Sequence, residues 1–446
     1  VQRKPSGPEA AAASAVFSRT LRALRHRNFR LYFTGQAISI TGTWMQQVAM
    51  SWLVYRLTGS SVALGLVAFA SNLPSFLLAP FAGVLADRWS RYRMVVTTQV
   101  LSLLQASVLA TLVLTGVVEV WHVIALAAFL GTVNGFDVPA RQSLLVELVN
   151  GPEDLANAIA LNSSMFNGAR MVGPAIAGVL IGVAGEGLAF ALNAASYVAV
   201  IGGLLSMDVP PPRPAEGRPP VLRTLAEGFR YAFGFPPIRA ILIVLALVSL
   251  LGMPYTVLLP VFATEVLGGG PHTLGFLVSA AGLGALSAAL YLASRSTVRG
   301  LGRVIVVAAS LFGAGLVAFA LSRTAWLSLG LLLVTGFGVM ATTASINTVL
   351  QTIVDDDKRG RVMSLYTMAF MGMAPFGGLL AGTLASRIGA PGTVLLGGVA
   401  TLATALAFAY RLPSLREDVL PIYRRLGIIP EVATGLGTAT ELRPRG

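Results

Sequence analysis

Long apolar runs recur along almost the whole sequence, separated by short segments where arginine and lysine collect. An α-helix needs about 20 predominantly apolar residues to cross the hydrocarbon core of a bilayer. Runs of this kind place spans at 30–56, 62–86, 93–116, 121–145, 157–184 and 187–206, and a second set at 240–263, 272–294, 303–322, 325–350, 361–387 and 391–411. The chain is 55% hydrophobic and 11% charged, with a mean hydropathy of +0.75. Soluble domains carry about 25% charged residues. Lipid is the solvent this composition suits, and the expected fold class is an all-α polytopic membrane protein with twelve transmembrane helices.

The net charge of +13 could in principle signal nucleic acid. Its distribution argues otherwise, because the basic residues sit on alternate loops between apolar runs and no DNA-binding module is visible, so no nucleic-acid partner is expected. With both termini in the cytoplasm, most Lys and Arg fall on cytoplasmic segments. Arg56, Arg323 and Arg387 then face outward, and Arg141 and Arg170 lie in or beside helices. Lys and Arg collect on the cytoplasmic side of membrane proteins, so the expected location is a bacterial inner membrane with both ends inside. The sequence contains no cysteine, which removes disulfides, thiolate metal sites and cysteine nucleophiles. The first thirty residues are basic but show no cleavable signal segment.

Five regions are expected: a cytoplasmic N-terminal segment 1–29, a six-helix bundle 30–206, a linker 207–239, a second six-helix bundle 240–411 and a cytoplasmic tail 412–446. The linker is rich in proline (Pro210, Pro211, Pro212, Pro214, Pro219, Pro220). From Val221 to Phe235 it places Leu222, Leu225, Phe229 and Phe233 on one helical face and Arg223, Glu227 and Arg230 on another. That pattern suits a helix lying along a membrane surface, or simply a connector. The tail carries Pro413, Pro421, Pro430 and Pro444 and is expected to extend along or away from the membrane. An internal repeat relates the halves: Leu85-Ala86-Asp87-Arg88 matches Leu292-Ala293-Ser294-Arg295, and the fourth and tenth spans pair Gly131 with Gly336 and Leu145 with Leu350. Duplicated bundles of this kind place their substrate cavity between the halves.

Several stretches resemble the major facilitator superfamily. Gly83-Val-Leu-Ala-Asp87-Arg88-Trp-Ser-Arg91-Tyr-Arg93 is similar to its loop signature between helices 2 and 3, with Ser90 in place of the usual second glycine. Gly168-Ala-Arg170-Met-Val-Gly173-Pro174-Ala-Ile-Ala-Gly178 resembles the helix-5 motif of antiporters, with incomplete glycine spacing upstream. Asp355-Asp356-Asp357-Lys358-Arg359-Gly360-Arg361-Val-Met-Ser364, followed by Pro375-Phe-Gly377-Gly378, and Asp137-Val-Pro139-Ala-Arg141 resemble the drug-efflux branch that includes the bacterial enterobactin exporter. The resemblance runs from Phe29 to Arg411. It implies the major facilitator fold, two pseudo-symmetric six-helix bundles, and a cytoplasmic gate formed by Gly83, Asp87, Arg88, Arg91, Asp137 and Arg141.

Within that frame, Asp137 is the one acid well inside an expected helix and the leading proton-coupling candidate. Arg141 stands four positions on, the spacing that shares a helical face, so a structural ion pair is the competing reading. An unpaired guanidinium near the middle of a span is costly, so Arg170 contacts either an anionic or polar substrate group or a packing partner. Gly168, Gly173 and Gly178 suit close helix approach, and Pro174 relieves the rigidity of its helix. Asn72, Asn134, Asn162, Asn167 and Asn347 are amides in apolar spans that can bond helices or substrate. Trp44, Met165, Tyr255, Met368 and Phe370 suit a pliable apolar cavity.

The expected function is export of small amphipathic molecules, drugs or siderophore-like metabolites, by proton antiport and alternating access. The proton gradient supplies the energy and no cofactor or metal is expected; no P-loop is present. The partners are then the substrate and the lipid bilayer. Nothing in the sequence asks for more than a monomer, and the oligomeric state stays open. An importer or lipid flippase on the same scaffold is the alternative. A membrane-embedded enzyme or a sensor is the alternative from another class, against which stand the lack of HExxH, of GxSxG and of paired intramembrane acids.

Overall fold

The computed structural model of the chain describes residues 21–88, 90–208, 221–295 and 297–428, and within these the side chains other than those of 79–88 and 221–226. Among the described residues all regular structure is helical. A 3-10 turn at Arg22–Arg25 leads into α1 (Arg27–Thr58), α2 (Ser61–Arg88), α3 (Arg91–Leu114), α4 (Val120–Glu147), α5 (Pro152–Ala184) and α6 (Glu186–Leu205). The linker helix α7 (Val221–Gly234) follows, close to the segment expected from its amphipathic pattern. Beyond it come α8 (Pro236–Leu247), α9 (Tyr255–Val261), α10 (Pro271–Ala293), α11 (Leu301–Leu321), α12 (Ala325–Ile353), α13 (Asp356–Phe370) and α14 (Ala374–Arg425).

The local sequence explains where these helices stop. Gly59 takes a left-handed conformation (φ +58°) that ends α1, and its N–H donates to the Tyr55 carbonyl. Ser90, the departure from the loop signature, caps α3 by accepting from the Arg93 N–H at 3.4 Å, so the substitution trades a glycine for an N-cap. Pro152, Pro236 and Pro271 open their helices, where a missing N–H costs nothing.

Ten described helical stretches are long and apolar enough to cross a membrane. This is fewer than the runs counted in the sequence, for two reasons. Helix α1 is long enough but more polar, because Gln36, Ser39 and Gln46 are buried on its inner face. Gln46 donates to Gln105 of α3 at 2.9 Å and accepts from Asn193 of α6 at 2.8 Å. Second, the last stretch, Asp356–Arg425, contains more than one helix. Gly389 (φ +78°) breaks α14. Residues before the break run antiparallel to α2, pairing Gly378 with Gly65 and Gly382 with Ser61. Those after it run antiparallel to α11, pairing Gly398 with Gly313 and Leu412 with Gly302.

Two expected continuous spans are broken. The run at 240–263 divides into α8 and α9, joined through a π-helical turn at Val248–Gly252 and followed by another at Phe262–Val266. Proline at 254 lacks the N–H that would continue the ladder. The run at 361–387 is interrupted at 371–373, between α13 and α14. The two breaks adjoin: a Cβ on Gly377 would stand 2.6 Å from both the Leu250 carbonyl oxygen and Pro254 Cγ. Beyond Arg411, α14 continues to Arg425 and buries Leu415 and Val419.

Packing repeats between the chain's halves. Helix α1 packs on α5 and α6, α2 on α4, and α3 on α4 and α6. In the second half α10 packs on α12, and α11 on α12 and α14. The sequence-paired glycines occupy matching contacts, Gly131 against Ser71 of α2 and Gly336 against Ala281 of α10. The halves meet chiefly through α5 with α10 and α2 with α14.

Candidate functional site

The close contacts between halves cluster toward one end of the molecule, the end marked by the loop at Gly59. On α5 and α10, a Cβ on Gly178 would stand 2.7 Å from the Pro271 carbonyl oxygen and 2.9 Å from Gly275 Cα. On α2 and α14, a Cβ on Gly65 would stand 2.8 Å from the Gly378 carbonyl oxygen, and Ser61 Oγ donates to the Gly382 carbonyl at 3.0 Å. Backbone meets backbone here because no side chain intervenes. The Tyr55 hydroxyl of α1 also donates to the Glu265 carboxylate beyond α9. Arg56 holds Glu186 beside it through contacts of 2.7 and 3.3 Å.

Toward the opposite end, marked by Gly151, the facing helices expose apolar side chains: Ile159 and Phe166 on α5, Leu283 and Leu290 on α10. Among the described residues, the close contacts between halves thus form a seal toward the Gly59 end.

The helix-5 motif divides along its length. Gly178 packs on α10, and Gly173 packs on α1, where its Cβ would meet Thr41 O at 2.9 Å and Trp44 Cβ at 2.8 Å. Gly168 does not serve close approach as expected: nothing lies within 4 Å of where its Cβ would be. Pro174 stands inside α5 without ending it, and its carbonyl meets Gly275 of α10.

Arg170 lies between the open part of the motif and the seal. Its guanidinium carbon stands 5.7 Å from the centroid of the Trp44 ring, within cation–π range. The Trp44 ring meets Phe166 edge-on at 5.8 Å. Tyr255, buried at the start of α9 just past the helix break, lies within electrostatic reach of Arg170. Among the described residues no carboxylate pairs with this arginine. Arg170, Trp44 and Tyr255 bring α1, α5 and α9 together, so the site joins the two halves.

Asp137 occupies a different site, inside the first half. It is buried and accepts from Thr98 Oγ1 at 2.6 Å, Gln99 Nε2 at 2.8 Å and Arg141 Nε at 2.8 Å. Arg141 also donates to Gln36 at 3.0 Å. The i,i+4 spacing thus produces an ion pair spanning α1, α3 and α4. Of the other gate candidates, Arg91 pairs with Glu147 at 2.6 Å. The side chains of Gly83, Asp87 and Arg88 lie outside the described residues.

The remaining candidates scatter. Asn72 and Asn167 donate back to carbonyls of their own helices, Ala68 and Ser163, at 2.8 and 2.9 Å. Neither of those bonds ties helices together or points to substrate. Asn347 accepts from Gln351, and Asn134 and Asn162 are half-buried. Met165 is packed with Ile40 and Ala169 between α1 and α5. Phe370 stacks on Tyr366 at 6.1 Å beside the α13–α14 break, and Met368 is exposed there.

Several contacts between distant segments have no local signal in the sequence. Tyr55 and Glu265 are 210 residues apart, and no local pattern joins them. The helix breaks did leave a signal, Gly252-Met-Pro254 and Gly372-Met-Ala-Pro375. Asp154 gathers the N-terminal segment, pairing with Arg22 at 2.6 Å, Arg25 at 2.6 Å and His26 at 2.7 Å. The linker helix is tied to α13 by Glu227–Arg361 at 3.1 Å and Tyr231–Asp355 at 3.3 Å.

The chain is similar over most of its length to transporters. It is 26% identical over 384 residues to the staphyloferrin A transporter of Staphylococcus aureus, an alignment covering 85% of this chain and 95% of that one. It is 28% identical over 378 residues to the multidrug efflux pump Tap of Mycolicibacterium fortuitum, covering 83% and 92%. Its fold matches a bacterial homologue of the human lysosomal transporter Spinster, crystallised inward-facing and unoccupied, at a TM-score of 0.65 and 14% identity over 95% of this chain and 99% of that one. The relatives are membrane transporters and not enzymes. Residues 18–433 match the family described as transmembrane secretion effector, and the chain belongs to that family of the major facilitator superfamily.

Proposed function

We propose that this protein exports small amphipathic molecules carrying an anionic or strongly polar group, drugs or siderophore-like metabolites among them, in exchange for protons. The observation that carries the reading is Arg170, a guanidinium at the junction of the halves with an aromatic face and a phenol around it and no carboxylate partner among the described residues. A half-buried, unneutralised charge within a span is costly, and an anionic group entering between the halves would offset that cost. Relatives named for siderophore transport and for multidrug efflux support the substrate range and the direction.

The architecture proposed for this function is twelve crossings in two six-helix bundles, 30–206 and 240–411, linked through 207–239. The N-terminal segment 1–29, the linker and the tail 412–446 lie in the cytoplasm of a bacterial cell, and the bundles in its inner membrane. The Gly59 end then faces outward, and the sealed arrangement is the state open to the cytoplasm. Asp137 is the proposed proton acceptor. Protonation would weaken its hold on Arg141 and Gln99, loosening α3 against α4 as the halves rock. A unit charge crossing 100 mV releases about 2.3 kcal/mol, ample for two nearly balanced states.

The test uses proteoliposomes with a pH-sensitive dye inside and a compound panel matched in size but differing in charge. Anionic amphiphiles should evoke proton movement opposite to their own, abolished in Arg170→Gln. Compound uptake with protons moving in the same direction would establish an importer, and transport indifferent to substrate charge would remove Arg170 from recognition.

A further inference from the structure

A cavity lies away from Arg170, at the Gly151 end of the second half. Its volume is about 310 Å³, the size of a small ligand pocket. The walls come from α8, α11, α12 and α14. Its apolar lining includes Ile241, Leu301, Ile305, Val349, Phe408 and Leu415. The continuation of α14 past Arg411, with its Leu415 and Val419 face turned inward, supplies one side of it.

Two arginines belong to the same lining, Arg303 in the first turn of α11 and Arg416 on α14. Both are exposed, and neither is held by an ion pair or hydrogen bond among the described residues. The nearest acids in sequence, Glu417 and Asp418, are exposed and do not line the cavity. The apolar part is built from residues within membrane-length helices, and the arginines sit where α11 begins. In a bilayer crossed by α11, the cationic mouth and apolar interior would fall at the depths of a phospholipid's phosphate and acyl chain.

We propose that this cavity binds an anionic phospholipid from the surrounding leaflet, its phosphate between Arg303 and Arg416 and part of an acyl chain along Ile305, Val349 and Phe408. A zwitterionic lipid offers the same chain but carries a choline that the two guanidinium groups repel. A soluble phosphate satisfies the arginines and leaves the apolar walls without an occupant. The bound lipid would brace the end of α14 against α8 and α11, outside the transport path.

Native mass spectrometry of the purified full chain, given equal dioleoylphosphatidylglycerol and dioleoylphosphatidylcholine, tests this. The expected result is preferential retention of the anionic lipid. Each of Arg303→Gln and Arg416→Gln should lower that preference about fivefold, the effect of one basic residue near an anionic surface. Arg425→Gln, at the same end but outside the lining, should leave it unchanged. Ala409→Phe, which fills the cavity and keeps both arginines, should lower retention of both lipids while the protein keeps its melting temperature. Equal loss in Arg425→Gln, displacement of the lipid by inorganic phosphate, or undiminished retention in the double arginine variant would each overturn the proposal.

Discussion

The Nε of Arg141 stands 2.8 Å from a carboxylate oxygen of Asp137, in a site where Thr98 and Gln99 hold the other oxygen. Removing one partner of a buried pair leaves an uncompensated charge and costs about 3–5 kcal/mol. Asp137→Ala should therefore lower the melting temperature of the purified protein more than Asp137→Ala combined with Arg141→Met. A double-mutant cycle should give an interaction of roughly 1–3 kcal/mol, and additive losses would show that the pair contributes no coupling. Asp137→Asn keeps the size of the side chain and should insert normally. It should lose proton-coupled transport, and wild-type pH dependence in that variant would retire Asp137 as the acceptor.

Arg170 over Trp44 separates charge from shape. Arg170→Lys keeps a cation but loses the planar group that stacks on an aromatic face. It should retain weakened transport of anionic amphiphiles where Arg170→Gln retains none. Trp44→Leu should weaken substrate binding by about 0.5–2 kcal/mol if the ring acts through the guanidinium. Tryptophan-independent binding measurements, such as radioligand retention, check both. A Trp44→Leu effect that persists in the Arg170→Gln background would mean that the ring contacts substrate by itself.

Most of the spans could be read in the sequence because they are apolar runs of bilayer length, and most ends shifted by only a few residues, although the last helix runs on to Arg425. The Asp137–Arg141 pair was legible because both residues lie on one helix at a spacing that fixes their relation. Longer-range relations were not. Nothing local links Tyr55 to Glu265, and the same glycine motif that packs Gly178 against α10 leaves Gly168 facing open space. A glycine's use depends on what the neighbouring helix presents, and that is settled by the packing of distant segments. The breaks near Pro254 and Gly372 were masked by continuous hydropathy, since helix interruption inside protein costs no apolarity.

The contact between Tyr55 and Glu265 ties the halves at the sealed end. A hydrogen bond to a charged group contributes about 1.5–3 kcal/mol, so Tyr55→Phe or Glu265→Gln should shift the balance toward the state open at that end. Because the chain has no cysteine, spin labels can be placed at Thr58→Cys and His272→Cys alone. Distance distributions should broaden toward longer separations in either variant and no further in both together. Identical distributions in wild type and variants would mean that the glycine contacts alone keep the seal.

Those glycine contacts make the sharpest contrast within one helix. A side chain at Gly178 would meet the Pro271 carbonyl at 2.7 Å, Gly275 Cα at 2.9 Å and His272 Cα at 3.0 Å, all backbone that cannot rotate aside. Gly178→Leu should force α5 from α10, with a packing penalty of about 1–3 kcal/mol, and hold the Gly59 end open. Gly168→Ala, ten residues earlier on the same helix, meets nothing within 4 Å and replaces a poor helix former with the best one, a gain of about 1 kcal/mol. The two variants should therefore move the melting temperature in opposite directions, and the spin-label distances should lengthen only for Gly178→Leu. Stabilisation by both would mean that the α5–α10 contact has slack that its geometry denies.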